Sequence, residues 1–270
     1  MSKSTRINRL LVTGAAGGLG KEMRSRLSAN CKTLRLSDVA ECGPAGNGEE
    51  VVLADLSDAV AIQKLLDGVD AVVHFGGISV EQPFDKILPA NIVGVYNLYE
   101  AARKNGVKRI VFASSNHVTG FYRTDQVVSP DMPVRPDTYY GLSKAFGENL
   151  ARFYFDRYGI ETACLRIGSS FTEPRDRRML ATWLSYNDLH RLIAACLETP
   201  VLGFSVIYGI SDNSIKWWDN TSASHIGFRA LDSVDRFKDA LFARTEPADP
   251  LHPATIFQGG KFCCEGPFEE

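Results

Sequence analysis

The chain has 270 residues, 44% of them hydrophobic and 23% charged, and a net charge of −2. That composition excludes an extended disordered chain, and the interspersed signs leave no basic stripe for nucleic-acid phosphates. No apolar run approaches the roughly 18 residues that would span a bilayer, so neither nucleic acid nor membrane is expected as a partner.

The first residues, "MSKSTRINRL", carry charge but run into "LLVTGAAGG" rather than an apolar signal core. Six cysteines, Cys31, Cys42, Cys164, Cys196, Cys263 and Cys264, show no CxxC spacing. Reduced thiols of a cytoplasmic protein are expected, with no metal site. Apolar, β-branched runs predict strands over 9–15, 33–39, 51–56, 71–77, 109–115 and 162–168, each buried on both faces. Helical patterns fall between them at 19–29, 58–67, 85–105 and 138–158. The alternation predicts an α/β fold, a doubly wound parallel sheet whose ligands bind outside the carboxyl ends of the strands. Beyond residue 170 the pattern loosens. A helix is expected over 188–198, a strand over 206–212 and a helix over 234–243, followed by an irregular tail rich in Pro and Gly.

At the first strand-to-helix junction "VTGAAGGLG" sets Gly14, Gly17 and Gly20 in a GxxGxxG spacing. Glycines there let the backbone turn tightly and approach a pyrophosphate at the helix N-terminus, a Rossmann-like arrangement. Asp38 ends the second predicted strand, where a carboxylate accepts from a ribose diol and repels a 2′-phosphate, so NAD is expected over NADP. Asp55 and Leu56 close the third strand, and Gly76 and Gly77 in "HFGGIS" close the fourth.

"YYGLSK" places Tyr140 and Lys144 four residues apart, on one helix face. A lysine cation beside a phenol is expected to move its pKa down toward working pH, making the tyrosine a usable base. Upstream, the apolar run of "FASSNHVTG" stops at Ser114, Ser115, Asn116 and His117, polar residues at a predicted strand end. Spacing alone does not decide which serine faces the ligand.

The glycine turn, the strand-end serine and the YxxxK pair together resemble the extended branch of the short-chain dehydrogenase/reductase family over about residues 8–170. In that branch a serine before a stretch like "xxVYG" joins the tyrosine and lysine in catalysis. "SNHVTG" puts Ser115 there, with Thr119 in place of the usual tyrosine. Further along, "GGISVEQPF", "FASSNH", "YYGLSKAFGENLARFYFDRYGIET", "RIGSS", "EPRDRRMLATWLS", "WWDN" and "FQGGKF" resemble bacterial uronate dehydrogenases over nearly the whole chain.

The resemblance implies oxidation of the anomeric C1 hydroxyl of galacturonate or glucuronate to the aldarolactone. Tyr140 would be the base, Lys144 its partner and Ser115 the holder of the reacting oxygen. The implied NAD contacts are Gly14, Gly17, Gly18, Leu19, Gly20, Asp38, Asp55, Leu56, Phe75, Gly76, Gly77, Asn91, Ser114, Tyr140, Lys144 and Ile167. The implied substrate contacts are Ser79, Ser115, Asn116, His117, Tyr140, Ser169 and Arg178. Any arginine of "EPRDRRM" has a fork suited to a carboxylate. The resemblance selects Arg178, with Arg175 and Arg177 read as solvated charges. Trp217 and Trp218 are read as packing residues. One integrated domain is expected, with an NAD-binding part over 1–170 and a smaller C-terminal substrate-binding region over 171–270, in a homo-oligomer. The rival is a nucleotide-sugar epimerase or dehydratase, which shares the cofactor site and the Tyr-Lys pair.

Overall fold

The computed structural model describes residues 7–266 and 268. In chain order its elements begin with β1 (Ile7–Thr13), α1 (Gly18–Leu27), β2 (Cys31–Ser37), β3 (Glu49–Val51), α2 (Ala59–Leu65) and β4 (Ala71–His74). There follow α3 (Phe84–Ile87), α4 (Gly94–Asn105), β5 (Arg109–Ser115), α5 (Tyr139–Tyr158), β6 (Glu161–Ile167) and β7 (Ser169–Ser170). The C-terminal part adds α6 (Met179–Thr182), β8 (Trp183–Leu184), α7 (Tyr186–Glu198), β9 (Phe204–Gly209), α8 (Lys238–Arg244) and α9 (Pro253–Ile256).

Seven strands form one sheet in the order β3-β2-β1-β4-β5-β6-β9, every pairing parallel. Strand order reverses between β1 and β4, which opens a crevice at the carboxyl edge. This is the expected Rossmann-like sheet. Side chains alternate across it. Leu10, Val12, Leu34 and Val73 join the layer under α1 and α7, while Leu11, Val72, Ile110 and Phe112 join the layer under α2, α4 and α5.

Three expectations need correction. The third strand lies at Glu49–Val51 rather than 51–56, and Val52 and Leu53 are exposed where the chain leaves β3, the outermost strand among the described residues. The helix expected over 85–105 is interrupted by a π-helical stretch at Leu88–Val93. Pro89 has no N–H to give the regular ladder there. The tail is irregular only in part: α9 leads into a tight helical turn at Gly260–Cys264. Gln258, buried between them, donates to the Arg123 and Gln126 carbonyls at 3.0 and 2.8 Å and accepts from Trp218 Nε1 at 2.8 Å. The C-terminal hundred residues also supply β9, so they are knitted into the main sheet. Among the described residues no helix is long and apolar enough to cross a membrane.

Beneath the carboxyl edge lies a buried ion pair. Arg166 on β6 reaches Glu148 on α5 through Nε and Nη2 at 2.9 and 2.8 Å, with only 2% and 6% of the two side chains exposed. Glu148 also accepts from Ser114 Oγ at 2.6 Å. Arg166 Nη1 donates to Tyr208 Oη, which lies 3.0 Å from Thr119 Oγ1. Tyr208 stacks flat on Trp218 at 4.9 Å. Removing one partner strands the other charge in a dry interior. Arg166→Met is therefore expected to lower the unfolding free energy by about 3–5 kcal/mol in urea titrations, and a loss under about 1 kcal/mol, the scale of an exposed pair, would show that the pair is not buried as described.

Candidate functional site

Gly14 ends β1 at φ +72°, and a Cβ there would lie 2.5 Å from the Phe75 backbone carbon. A Cβ on Gly20 would overlap the Gly14 carbonyl, so α1 packs against the turn only with glycine present. No side chain caps α1, and nothing approaches within 4 Å of the Cβ position of Gly18. Gly17 and Gly18 are exposed, so the start of α1 is open to a ligand, with the positive end of the helix dipole behind it. The Asp38 carboxylate beyond β2 accepts from Ala16 N at 3.0 Å and Ala40 N at 3.1 Å, which ties it to the same turn. These residues fit a dinucleotide: an open helix start for a pyrophosphate and a fixed carboxylate for a ribose diol.

Phe75, Gly76 and Gly77 follow β4 directly, and buried Leu56 packs beside Gly76. Asp55 accepts from Ser57 N and Oγ, both at 2.8 Å. Asn91, in the π-helical stretch, spends its amide on Ile78 N and O and on Ser143 Oγ at 2.8–2.9 Å. Ser114 turns its hydroxyl down to Glu148, away from its neighbour Ser115. Ile167 ends β6 in register with Ser115.

Helix α5 begins at a doubly held N-terminus. Thr138 Oγ1 accepts from Gly141 N at 2.9 Å, and Glu81 accepts from Tyr139 N and Tyr140 N at 3.0 and 2.8 Å. These bonds fix the start of α5 and so the placement of Tyr140, whose phenol is near enough to the Ser115 hydroxyl for that group to draw its pKa down. Burial pushes Tyr140 up to about 12, against the opposing pull of the Ser115 hydroxyl. Lys144 Nζ lies over the ring faces of Phe112 and Tyr140, 5.1 and 5.7 Å from their centroids. Burial lowers Lys144 to about 8. The expected downward shift of Tyr140 by Lys144 is thus absent: the amine sits over the ring and desolvation dominates both groups.

Asn116, His117 and Thr119 form a helical turn after β5. His117 Nδ1 lies 2.7 Å from Asp137 Oδ2, and its ring stacks on Phe262 at 3.9 Å and meets Tyr140 edge-on at 5.9 Å. Oriented by its surroundings, the Asn116 amide donates to the Ile167 carbonyl at 3.0 Å and accepts from Arg178 Nη2 at 2.8 Å. Arg178 Nε donates to the Gln258 carbonyl at 2.7 Å, and Nη1 lies 3.4 Å from Ser169 Oγ, which bonds Thr182 Oγ1 at 2.8 Å. Ser79 stands exposed on the loop after β4. Arg175 stacks on Phe171, while Arg177 bonds Thr245 and so anchors the end of α8.

The carboxyl edge therefore brings together Ser115, Asn116, His117, Tyr140, Lys144, Ser169 and Arg178. Glu81, Asp137, Gln258 and Phe262 join them without having been expected. Phe262 and Gln258 lie in the tail, which composition marks only as loop. Asp137 stands one residue before a helix cap, where an acidic side chain is ordinary.

Residues 10–196 match the model of the NAD dependent epimerase/dehydratase family. The chain is 56% identical to a uronate dehydrogenase of Pseudomonas syringae pv. tomato, over 98% of this chain and 96% of that one. Among solved structures it resembles a point mutant of the uronate dehydrogenase of Agrobacterium tumefaciens complexed with NAD, at TM-score 0.95 and 50% identity, covering 97% and 99% of the two chains. The glucuronic acid dehydrogenase of Chromohalobacter salexigens is similar at TM-score 0.95 and 48% identity, over 96% and 98%. The chain thus belongs to the NAD dependent epimerase/dehydratase family and, within it, to the uronate dehydrogenases.

Proposed function

We propose that this protein oxidises the anomeric C1 hydroxyl of a hexuronic acid, galacturonate or glucuronate, to the aldarolactone with NAD. The observation that carries the reading is that Arg178 reaches Asn116, which stands between Ser115 and His117, and that the His117 ring meets Tyr140 edge-on. An arginine fork for the substrate carboxylate and a base for the C1 hydroxyl thereby lie along one chain of contacts. The names of its relatives, uronate and glucuronic acid dehydrogenases, support the same substrate class.

Ser115 holds the C1 oxygen, and Tyr140 removes its proton as C1 becomes a carbonyl carbon. When bound, oxidised NAD supplies the hydride acceptor for the C1 hydrogen and a positive charge on its ring. The residues alone keep the phenol protonated, so forming the phenolate needs positive charge beyond what Lys144 supplies in the free protein. Asn116, His117, Ser79 and Ser169 serve the remaining hydroxyls. The first amides of α1 hold the pyrophosphate and Asp38 the adenosine ribose, which favours NAD over NADP. Residues 1–170 act as the cofactor-binding part and 171–270 as the substrate part of one unit, working in the cytoplasm.

Self-association is the remaining part of the reading. Phe84, Leu88, Tyr96, Leu142, Phe146 and Phe153 on the α3–α4 stretch and α5 are 37–49% exposed. We read this apolar surface as the contact between two copies.

Purified protein supplied with NAD and galacturonate or glucuronate should generate NADH, more slowly with NADP, and Tyr140→Phe should lower kcat by at least about 10²-fold. Silence with both sugar acids would sink the substrate assignment, and full activity in the phenylalanine variant would sink the base. Sedimentation should find a species larger than the 29.7 kDa chain, with Phe146→Glu moving it toward monomer. A wild-type monomer at micromolar concentration would contradict the interface.

A further inference from the structure

We propose that Asp137 is a positioning residue of the substrate site, holding His117 protonated at Nδ1 so that Nε2 meets the sugar as a hydrogen-bond acceptor. The claim rests on the preceding reading that a sugar acid occupies the cavity. It identifies what sets the polarity of one of that cavity's contacts.

A carboxylate only accepts, so the 2.7 Å contact to Asp137 Oδ2 makes Nδ1 the donor. A neutral ring protonated there has a bare lone pair on Nε2. Among the described residues no protein group bonds Nε2. The ring has no freedom to turn Nδ1 away from Asp137. Its face is covered by Phe262, its edge abuts Tyr140, its backbone N donates to Ser115 Oγ at 3.1 Å, and its carbonyl accepts from Asp137 N at 3.3 Å.

The Asp137 side chain is wholly buried. Its Oδ1 accepts from Thr138 Oγ1 at 2.9 Å, and Thr138 caps α5, so the carboxylate lies at the positive end of the helix that carries Tyr140. Three separate chain segments give up side chains around it. A Cβ on Gly120 or on Gly259 would overlap Oδ2, and one on Gly141 would overlap the His117 carbonyl and lie 3.1 Å from Oδ1. Burying a carboxylate is costly where an amide or apolar group would fill the same space. The cage leaves room for the Asp137 side chain in one orientation. It also ties the tail to the site, since Gly259 N bonds the Gly120 carbonyl at 2.9 Å and the Cys263 thiol contacts the same carbonyl at 3.7 Å.

The test pairs imidazole 15N chemical shifts with steady-state kinetics on the full chain, wild type against Asp137→Asn, with His117→Gln used to assign the signal. In the variant the amide oxygen satisfies Thr138 and the NH2 faces His117. Nδ1 then becomes the acceptor and the proton moves to Nε2. Wild type should show Nδ1–H with bare Nε2, and Asp137→Asn the reverse. KM for galacturonate should rise about tenfold, with kcat within about threefold and KM for NAD unchanged. Gly259→Ala, which alters no titrating group but crowds the carboxylate, should weaken the Nδ1–H preference in the same direction. An Nε2–H tautomer in wild type would overturn the proposal, as would a switched tautomer with unchanged KM. Absence of uronate oxidation in a protein that shows the predicted shifts would count against the reaction assigned above while supporting the positioning of His117.

Discussion

A guanidinium and a carboxylate buried together, Arg166 and Glu148, carry the site above them. Neither charge is tolerable alone in a dry interior, so each must find partners in fixed geometry. Glu148 takes the Ser114 hydroxyl, while Ser115, one residue on, points to the opposite side of β5 and accepts from His117 N. Arg166 takes Tyr208, which reaches Thr119 in the turn that presents Asn116 and His117. The flat stack of Tyr208 on Trp218 continues to Gln258, whose carbonyl holds Arg178. One polar network thus fixes Ser114, the turn carrying Asn116 and His117, and Arg178 together.

The same dryness sets the protonation states. Tyr140 sits near 12 and Lys144 near 8, both displaced toward their neutral forms by burial. His74, buried beside them and bonded to Thr13 at 2.6 Å, falls to about 3 for the same reason and stays uncharged. The ligand-free site therefore holds a phenol rather than a phenolate. Desolvation makes it responsive to any positive charge that arrives, because little water is left to screen the interaction.

Much of the sheet is legible in the sequence, because strands buried on both faces read as continuous apolar runs and glycine marks the first turn. The failures are instructive. Val52 and Leu53 look like buried strand, yet they follow β3 on the outermost strand with their side chains exposed, even though Val52 N and Ala54 N still donate to the Leu36 and Asp38 carbonyls. Pro89 signals a disturbance, yet not that a π-helical stretch absorbs it. The tail looks like loop from its prolines and glycines, whereas Gly259 and Gly260 are there because Asp137 and Arg178 occupy the space a side chain would take. Tyr140, Lys144 and Ser115 are readable from spacing and resemblance. Asp137, Glu81 and Gln258 are not, since each acts through partners distant in sequence. The expected effect of Lys144 on Tyr140 fails because spacing puts two groups on one helix face without saying whether the amine meets the hydroxyl or the ring.

The central claim is that burial holds Tyr140 as a phenol in the free protein. A spectrophotometric titration of the tyrosinate band, wild type minus Tyr140→Phe and without cofactor, tests it most directly. The account predicts no Tyr140 ionisation below pH about 10, the ordinary phenol value, with onset only toward about 12. A Tyr140 phenolate titrating near about pH 7, where a ready-made base would stand, would contradict it.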